Sequence, residues 1–228
     1  MVLSLCSKSK AQGFGTRFFI NIIEGIAVLG AGDFFNGLAD TWDEINHYPL
    51  KKIEKMLDML DIKDGEAVLD VGTGTGVLLP LLMRRTAAEN ITAIDAAEKM
   101  IEKAKGKSGA QPVHFIAADA LDYPFAESSF DHIICYSVFP HFEDKRAATA
   151  QFSAALKPDG LLSVLHSSSR EKINGTHTHI RSHGINSDYL LPAREYIPLL
   201  NRNGLHDEIV IDDDEMFMLC ARKQKDGN

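Results

Sequence analysis

The sequence predicts an α/β fold: a doubly wound, mostly parallel sheet that finishes with an antiparallel strand. Two observations carry this expectation. From "AVLDVG" to "LLSVLHS", strand-like runs alternate with amphipathic stretches, as in a parallel sheet with helices on both faces. Near the C-terminal end, "HDEIVIDDD" and "MFMLCARK" lie only a few residues apart. So short a connection forces the two strands to pair antiparallel.

The elements follow in order. "FFNGLADTWDEI" (34–45) is an amphipathic segment ahead of the first strand. "PLKKIEKMLDML" (49–60) places Ile53, Met56, Leu57 and Leu60 at helical spacing, with Pro at a first-turn position. "KDGEAVLDVG" is a turn and then a strand. Gly76 to about Arg85 reads as a helix with Pro80 near its start, the one helical region that tolerates proline. "ITAIDA" and "AEKMIEKAK" form the next strand and helix, and "PVHFIAAD" and "FDHIICYS" the third and fourth strands. "KRAATAQFSAAL" is a helix closed by the turn "KPDG", and "LLSVLHS" is the fifth strand. "LPAREYIPLLNRNG" is a helix that stops at Gly204, before the final hairpin.

Composition narrows the functional classes. The chain has 228 residues, within the range of one α/β domain, and is 45% hydrophobic with a mean hydropathy of −0.10. A net charge of −8 argues against nucleic-acid phosphate and anionic membrane surfaces as partners. Cys6, Cys135 and Cys220 form neither a CxxC pair nor a disulfide ladder, which fits a reducing, cytoplasmic setting. Lys8, Lys10 and Arg17 precede the apolar run "FFINIIEGIAVLGAG", a loose likeness to a signal peptide. Glu24 interrupts that run, which is too short to span a bilayer. Residues 1–33 are therefore expected to be an N-terminal extension or helix covering the active-site mouth, followed by a domain over 34–228 with an insertion at 166–195.

"LDVGTGTG" (69–76) is the most informative stretch. Its glycines, Gly72, Gly74 and Gly76, form GxGxG at a strand-to-helix junction, where bare backbone lets a ligand approach closely. A Walker loop would need a lysine, and a dinucleotide fingerprint would need its last glycine at position 77, which is Val. Asp70 precedes the glycines; a carboxylate there repels pyrophosphate and suits an ammonium or sulfonium group. Asp95 ends the second strand, placed to accept hydrogen bonds from two ribose hydroxyls. Asp119 follows the third strand, placed to accept from an exocyclic amine, with the small Ala120 beside it. Each acid alone would read as a solvated loop carboxylate or a cap. Together, at three successive strand ends, they describe a pocket for a cationic nucleoside.

These residues resemble the class I S-adenosylmethionine-dependent methyltransferases. "VLDVGTGTG", "AIDAAEKMIEKAK" and "ADALDYPF" are similar to that family's first three motifs. "FDHIICYSVFPHF" with "LKPDGLL" is similar to the fourth- and fifth-strand motifs of its small-molecule branch. The likeness runs from about Phe34 to Arg222. It implies a seven-stranded Rossmann-like sheet whose last strand is antiparallel, and S-adenosylmethionine as the cofactor. It implies that Asp70 and Gly72 hold the methionine moiety and Asp95 the ribose. Asp119 and Ala120 would hold the adenine, with Met100 or Phe125 lining the ring. Thr73, Gly74, Gly76, Ala96 and Ser137 complete the implied cofactor-binding set.

Methyl transfer from a sulfonium is an in-line displacement from an activated leaving group, so positioning can supply up to about 7–11 kcal/mol of the catalysis. A base is needed only for an acceptor that arrives protonated. The segment after the fourth strand, "CYSVFPHF", differs from the NPPY of many amide and base N-methyltransferases, which turns the reading from nucleobases and protein glutamine to a small-molecule acceptor. His141 is the base candidate by position, set against a plain loop histidine. His166, at the end of the fifth strand where ligands of open α/β sheets converge, is the second.

The segment 166–184 also holds His177, His179 and His183, and His179 and His183 share a face if that part is helical. With His166 they are the candidate metal ligands. No established zinc spacing is present, so a polar lid without metal is the favoured reading. Arg170 and Arg181 add anion-binding capacity, and "DDDE" (212–215) reads as a solvated turn. The alternatives are a nicotinamide-dependent oxidoreductase, disfavoured by GxGxG, Asp70 and the lack of Tyr-xxx-Lys, and a metal- or ligand-binding protein built on the histidines. Oligomeric state is open, a homodimer included.

Overall fold

The computed structural model describes residues 31–109, 111–181 and 188–225. Its frame is one seven-stranded sheet in the order β3-β2-β1-β4-β5-β7-β6. The strands are β1 (Val68–Val71), β2 (Ile91–Asp95), β3 (His114–Ala117), β4 (Phe130–Tyr136), β5 (Leu156–His166), β6 (Leu205–Asp212) and β7 (Phe217–Lys223). The pairs β1–β2, β1–β4, β2–β3 and β4–β5 are parallel, and β7 runs antiparallel to both β5 and β6. This is the expected doubly wound sheet with an antiparallel last strand. The order reverses between β1 and β4, and ligands of open α/β sheets bind beside the strand ends at such a switch point.

Alternate residues of the central strands feed two apolar layers. Leu69, Val71, Ile133, Cys135, Leu162 and Val164 face one layer, built with Phe152, Tyr196 and Leu200. Those last three come from α6 (Lys145–Ala155) and α8 (Ala193–Asn201). Val68, Ile91, Ala93, Ile134, Leu161 and Leu165 face the other, built with Ile53, Met56, Leu57, Leu79 and Leu82. These belong to α3 (Leu50–Asp58) and α4 (Leu79–Leu82). Ala104 of α5 (Glu98–Lys107) joins the same layer. All four apolar positions read from the 49–60 periodicity are buried. The N-cap of α6 is Asp144, whose Oδ1 accepts from the backbone N–H of Arg146 and of Ala147, both at 2.9 Å.

Three local departures from expectation have physical causes. The helix expected over 76–85 is only Leu79–Leu82. Gly72, Gly74 and Gly76 all have positive φ, so the loop persists to Gly76, and Pro80 fixes the first turn. The "KPDG" turn is a bulge within β5 rather than a loop before it: Phe130 pairs with Leu156, but His132 pairs with Leu161. The amphipathic segment 34–45 is two helices, α1 (Ala31–Leu38) and α2 (Trp42–Ile45).

The 166–195 region carries α7 (Arg170–Arg181). His177 and His179 fall in this helix with their side chains outside the described set, and His183 lies outside the described residues, as do residues 1–30. Arg170 is not left for anions: its Nε donates to Asp212 Oδ2 and Oδ1 at 3.0 and 3.1 Å. "DDDE" is thus part strand end and part turn, with Asp213 Oδ1 accepting from Glu215 and Met216 N–H at 2.8 Å. Among the described residues, no helix is long and apolar enough to cross a membrane.

Candidate active site

β1 ends in Asp70 and Val71, and the chain then makes a bare loop pinned to the neighbouring strand. Gly72 N and Thr73 N both donate to the Ile94 carbonyl of β2, at 2.9 and 3.0 Å, and Gly76 N donates to Thr73 O at 2.9 Å. The three glycines have different work. A Cβ on Gly72 would stand 2.4 Å from Val138 Cγ2, so Gly72 is the point where the loop passes the segment after β4. A Cβ on Gly74 would meet nothing within 4 Å. A Cβ on Gly76 would stand 2.8 Å from Leu79 Cδ1 and 3.0 Å from Ala104 Cβ, so Gly76 lets α5 pack against the loop.

Beside this loop lies a cavity of about 250 Å³. Of the residues singled out from the sequence, Asp70, Gly72, Thr73, Gly74, Asp95, Ala96, Met100, Asp119, Ala120, Ser137 and His141 line it. Gly76, Phe125 and His166 do not. Phe125 packs against Tyr123 and Phe130, with ring centres 4.9 and 5.9 Å apart. His166 is buried, its ring 6.0 Å from that of Phe217. β5 ends on the far side of β4 from the glycine loop, which is why its terminal histidine faces β7 instead of the cavity. Among the described residues no cluster of three or more His, Cys, Asp or Glu could hold a metal ion.

The acids are held in distinct ways. Asp70 is buried, and its Oδ2 accepts from Thr73 Oγ1 at 2.7 Å. Burial pushes its pKa up to about 7, the Thr73 bond opposes this, and the charge of Asp95 adds to the rise. A buried carboxylate lining a cavity, with one hydroxyl as its described donor, is stabilised by a cation beside it. Asp95 accepts from Gly74 N through Oδ2 and from Ala97 N through Oδ1, both at 2.8 Å. Burial raises its pKa, and these two N–H groups pull it back. Each oxygen keeps a lone pair for a diol. Asp119 caps its own turn, Oδ1 accepting from Leu121 N at 2.8 Å. Ser137 sits at φ 58°, a left-handed conformation that non-glycine residues seldom adopt, at the turn out of β4.

Gly32, Phe35, Trp42, Asn46 and Tyr48 from the N-terminal segment and Tyr136 from β4 also line the cavity, at positions that no sequence motif marks. Phe35 meets Trp42 edge-on at 5.5 Å and His141 at 5.6 Å between ring centres. Trp42 Nε1 donates to the Tyr48 hydroxyl at 2.7 Å. The cover is fastened to α5 and to the glycine loop. Asn36 Oδ1 accepts from Lys99 N at 3.0 Å, and Lys103 pairs with Asp40 at 2.7 Å. Asp43 accepts from Thr75 Oγ1 at 2.6 Å and pairs with Lys107 at 2.7 Å.

Comparison with known proteins agrees with this geometry. Residues 69–164 match the methyltransferase domain family. The chain is 38% identical over 104 residues to O-methyltransferase cnsE of Penicillium expansum, covering 44% of this chain and 37% of that protein. It is 31% identical over 136 residues to demethylmenaquinone methyltransferase of Thermotoga maritima, covering 58% of each. The chain therefore spans little more than half the length, or less, of these curated relatives. A chain of the complex between the Haloferax volcanii Trm112 methyltransferase activator and a methyltransferase superposes with a TM-score of 0.68 at 19% identity, covering 87% of this chain and all of that one. An S-adenosylmethionine-dependent methyltransferase from Aquifex aeolicus superposes with a TM-score of 0.63 at 21% identity, covering 81% of this chain and 97% of that one. Residues 69–164 thus match the methyltransferase domain family, in a chain whose fold is shared with a solved S-adenosylmethionine-dependent methyltransferase.

Proposed function

We propose that the protein transfers the methyl group of S-adenosylmethionine to a small-molecule acceptor. The observation that carries this reading is the convergence of Asp70, Asp95 and Asp119 on one cavity, beside a glycine loop that leaves open space at Gly74. When bound, the cofactor supplies a methyl group on a sulfonium, ready for in-line displacement. Asp70 opposes its positive charge, Asp95 accepts from the ribose diol, and Asp119 accepts from the adenine amine beside Ala120 and Met100. Thr73, Gly74, Ala96 and Ser137 form the remaining wall, while Gly72 and Gly76 give the loop its course. His141, on the cavity wall after β4, takes the proton of an acceptor that arrives protonated. The aromatic cover excludes water, which strengthens each of these electrostatic contacts.

The small-molecule acceptor is supported by the similarity to cnsE, named as an O-methyltransferase, and to a demethylmenaquinone methyltransferase. The test is to incubate the purified chain with trideuteromethyl S-adenosylmethionine and a whole-cell extract, and then to separate small molecules from macromolecules. A small-molecule product carrying the labelled methyl is expected, absent with Asp95→Ala. Label appearing only on protein or nucleic acid would overturn the acceptor class.

A further inference from the structure

The cover does more than close the cavity. Its aromatic rings join those of the β4 end in a continuous box: Phe35 touches Trp42 and His141, and Trp42 is hydrogen-bonded to Tyr48. Tyr136 lines the same cavity, and its hydroxyl is hydrogen-bonded to Ser167 Oγ at 2.7 Å. All five of these rings line the cavity. From this box we infer the acceptor class, resting on the methyl-transfer reading above: a neutral, planar aromatic molecule bearing a hydroxyl.

Three observations select it. The box walls are flat π-surfaces, which favour stacked or edge-on contact with another ring. The carboxylates of Asp70, Asp95 and Asp119 share the cavity. They repel an anionic acceptor such as a carboxylate. They also hold an alkylamine in its protonated form, which has no lone pair to attack with. A neutral hydroxyl escapes both penalties. Finally, the Tyr48 oxygen already accepts from Trp42 Nε1, so its own proton is left to donate toward an acceptor oxygen. Burial raises the Tyr48 pKa, so this donor stays protonated.

The step balances without a further reactant. The acceptor oxygen forms a bond to the methyl carbon as the carbon–sulfur bond breaks. The bonding pair leaves on sulfur as a neutral thioether, and the hydroxyl proton passes to His141.

The test uses the full chain and calorimetry with S-adenosylhomocysteine, naphthalene, naphthol, naphthoate and naphthylmethylamine, the last four with and without S-adenosylhomocysteine. Naphthol is expected to bind at least tenfold more tightly than naphthoate or the amine. Trp42→Ala should weaken naphthol at least tenfold, as for a buried aromatic anchor. Tyr48→Phe, which keeps the ring, should weaken naphthol about fivefold and leave naphthalene unchanged. Equal or tighter binding of naphthoate or of the amine would overturn the inference, as would an unaltered naphthol affinity in both variants. Failure of S-adenosylhomocysteine alone to bind would instead strike the cofactor reading, because naphthol is also titrated in its absence.

Discussion

Asp70 is a carboxyl group whose charge the fold holds at a cost. Its pKa, pushed up to about 7 by burial, lies above the ordinary carboxylate range. An acid whose folded pKa is raised binds protons more tightly in the native state, so stability falls as pH rises between the unfolded and folded values. Asp70→Asn removes that charge and keeps an acceptor for Thr73. It should raise the melting temperature at pH 8 by at least about 2 °C in the cofactor-free protein. The gain should vanish as the pH falls below the ordinary carboxylate value of 3.8, where Asp70 is protonated in both states. A melting temperature unchanged or lowered at pH 8 would show that Asp70 is not strained. The glycines make a second, paired prediction. Gly72→Ala collides with Val138 in a left-handed conformation and should cost about 2–4 kcal/mol in stability. Gly74→Ala meets open space at φ +55° and should cost only about 1 kcal/mol, while cutting cofactor affinity sharply. Chemical denaturation and ligand titration of the two variants check the pair; equal costs in stability would contradict the assigned roles.

The element that forms the outer wall of the cavity is the N-terminal cover, α1 and α2. It is held to α5 and to the glycine loop by Asn36, Asp40 and Asp43, and only Thr75 among the partners in the Asp43–Thr75–Lys107 cluster is fully buried. Exposed pairs of this kind contribute about 0–1 kcal/mol to global stability, so their effect belongs to closure. Asp43→Ala should leave the unfolding free energy within about 1 kcal/mol of the parent. It should shift the emission of Trp42, the chain's single tryptophan, to longer wavelength and speed release of S-adenosylhomocysteine. Unchanged emission and release would show that the cluster does not hold the cover down. The fastening of the cover was not legible in the sequence. An amphipathic pattern marks 34–45 as helical, but the pairs Asp43–Thr75 and Asp43–Lys107 join residues 32 positions apart or more, and only the packed sheet brings them together. The same limit explains His166. Its position at a strand end was readable, but the placement of β5 on the far side of β4 from the glycine loop sets it away from the cavity, and that is a property of strand order.

At the scale of the whole molecule, the fold was written in local signals that agree with one another. Strand runs alternate with amphipathic helices, the last connection is too short for a crossover, and both faces of β1, β4 and β5 are apolar because helices cover both. The glycine-loop side of the cavity was legible for the same reason: Asp70 is next to last in β1, Asp95 is last in β2 and Asp119 lies two positions past β3, and parallel strands bring their ends to one edge. The acceptor side comes from segments remote in sequence, and its aromatic rings carry no spacing rule. The central claim is that the three acids and the glycine loop form a site for S-adenosylmethionine. Calorimetric titration with S-adenosylhomocysteine, alongside NADH, for the parent chain and Asp95→Ala tests it most directly. Micromolar binding of S-adenosylhomocysteine, weakened at least tenfold by Asp95→Ala and with no heat from NADH, is the predicted result. Binding of NADH, or S-adenosylhomocysteine affinity indifferent to Asp95, would contradict it.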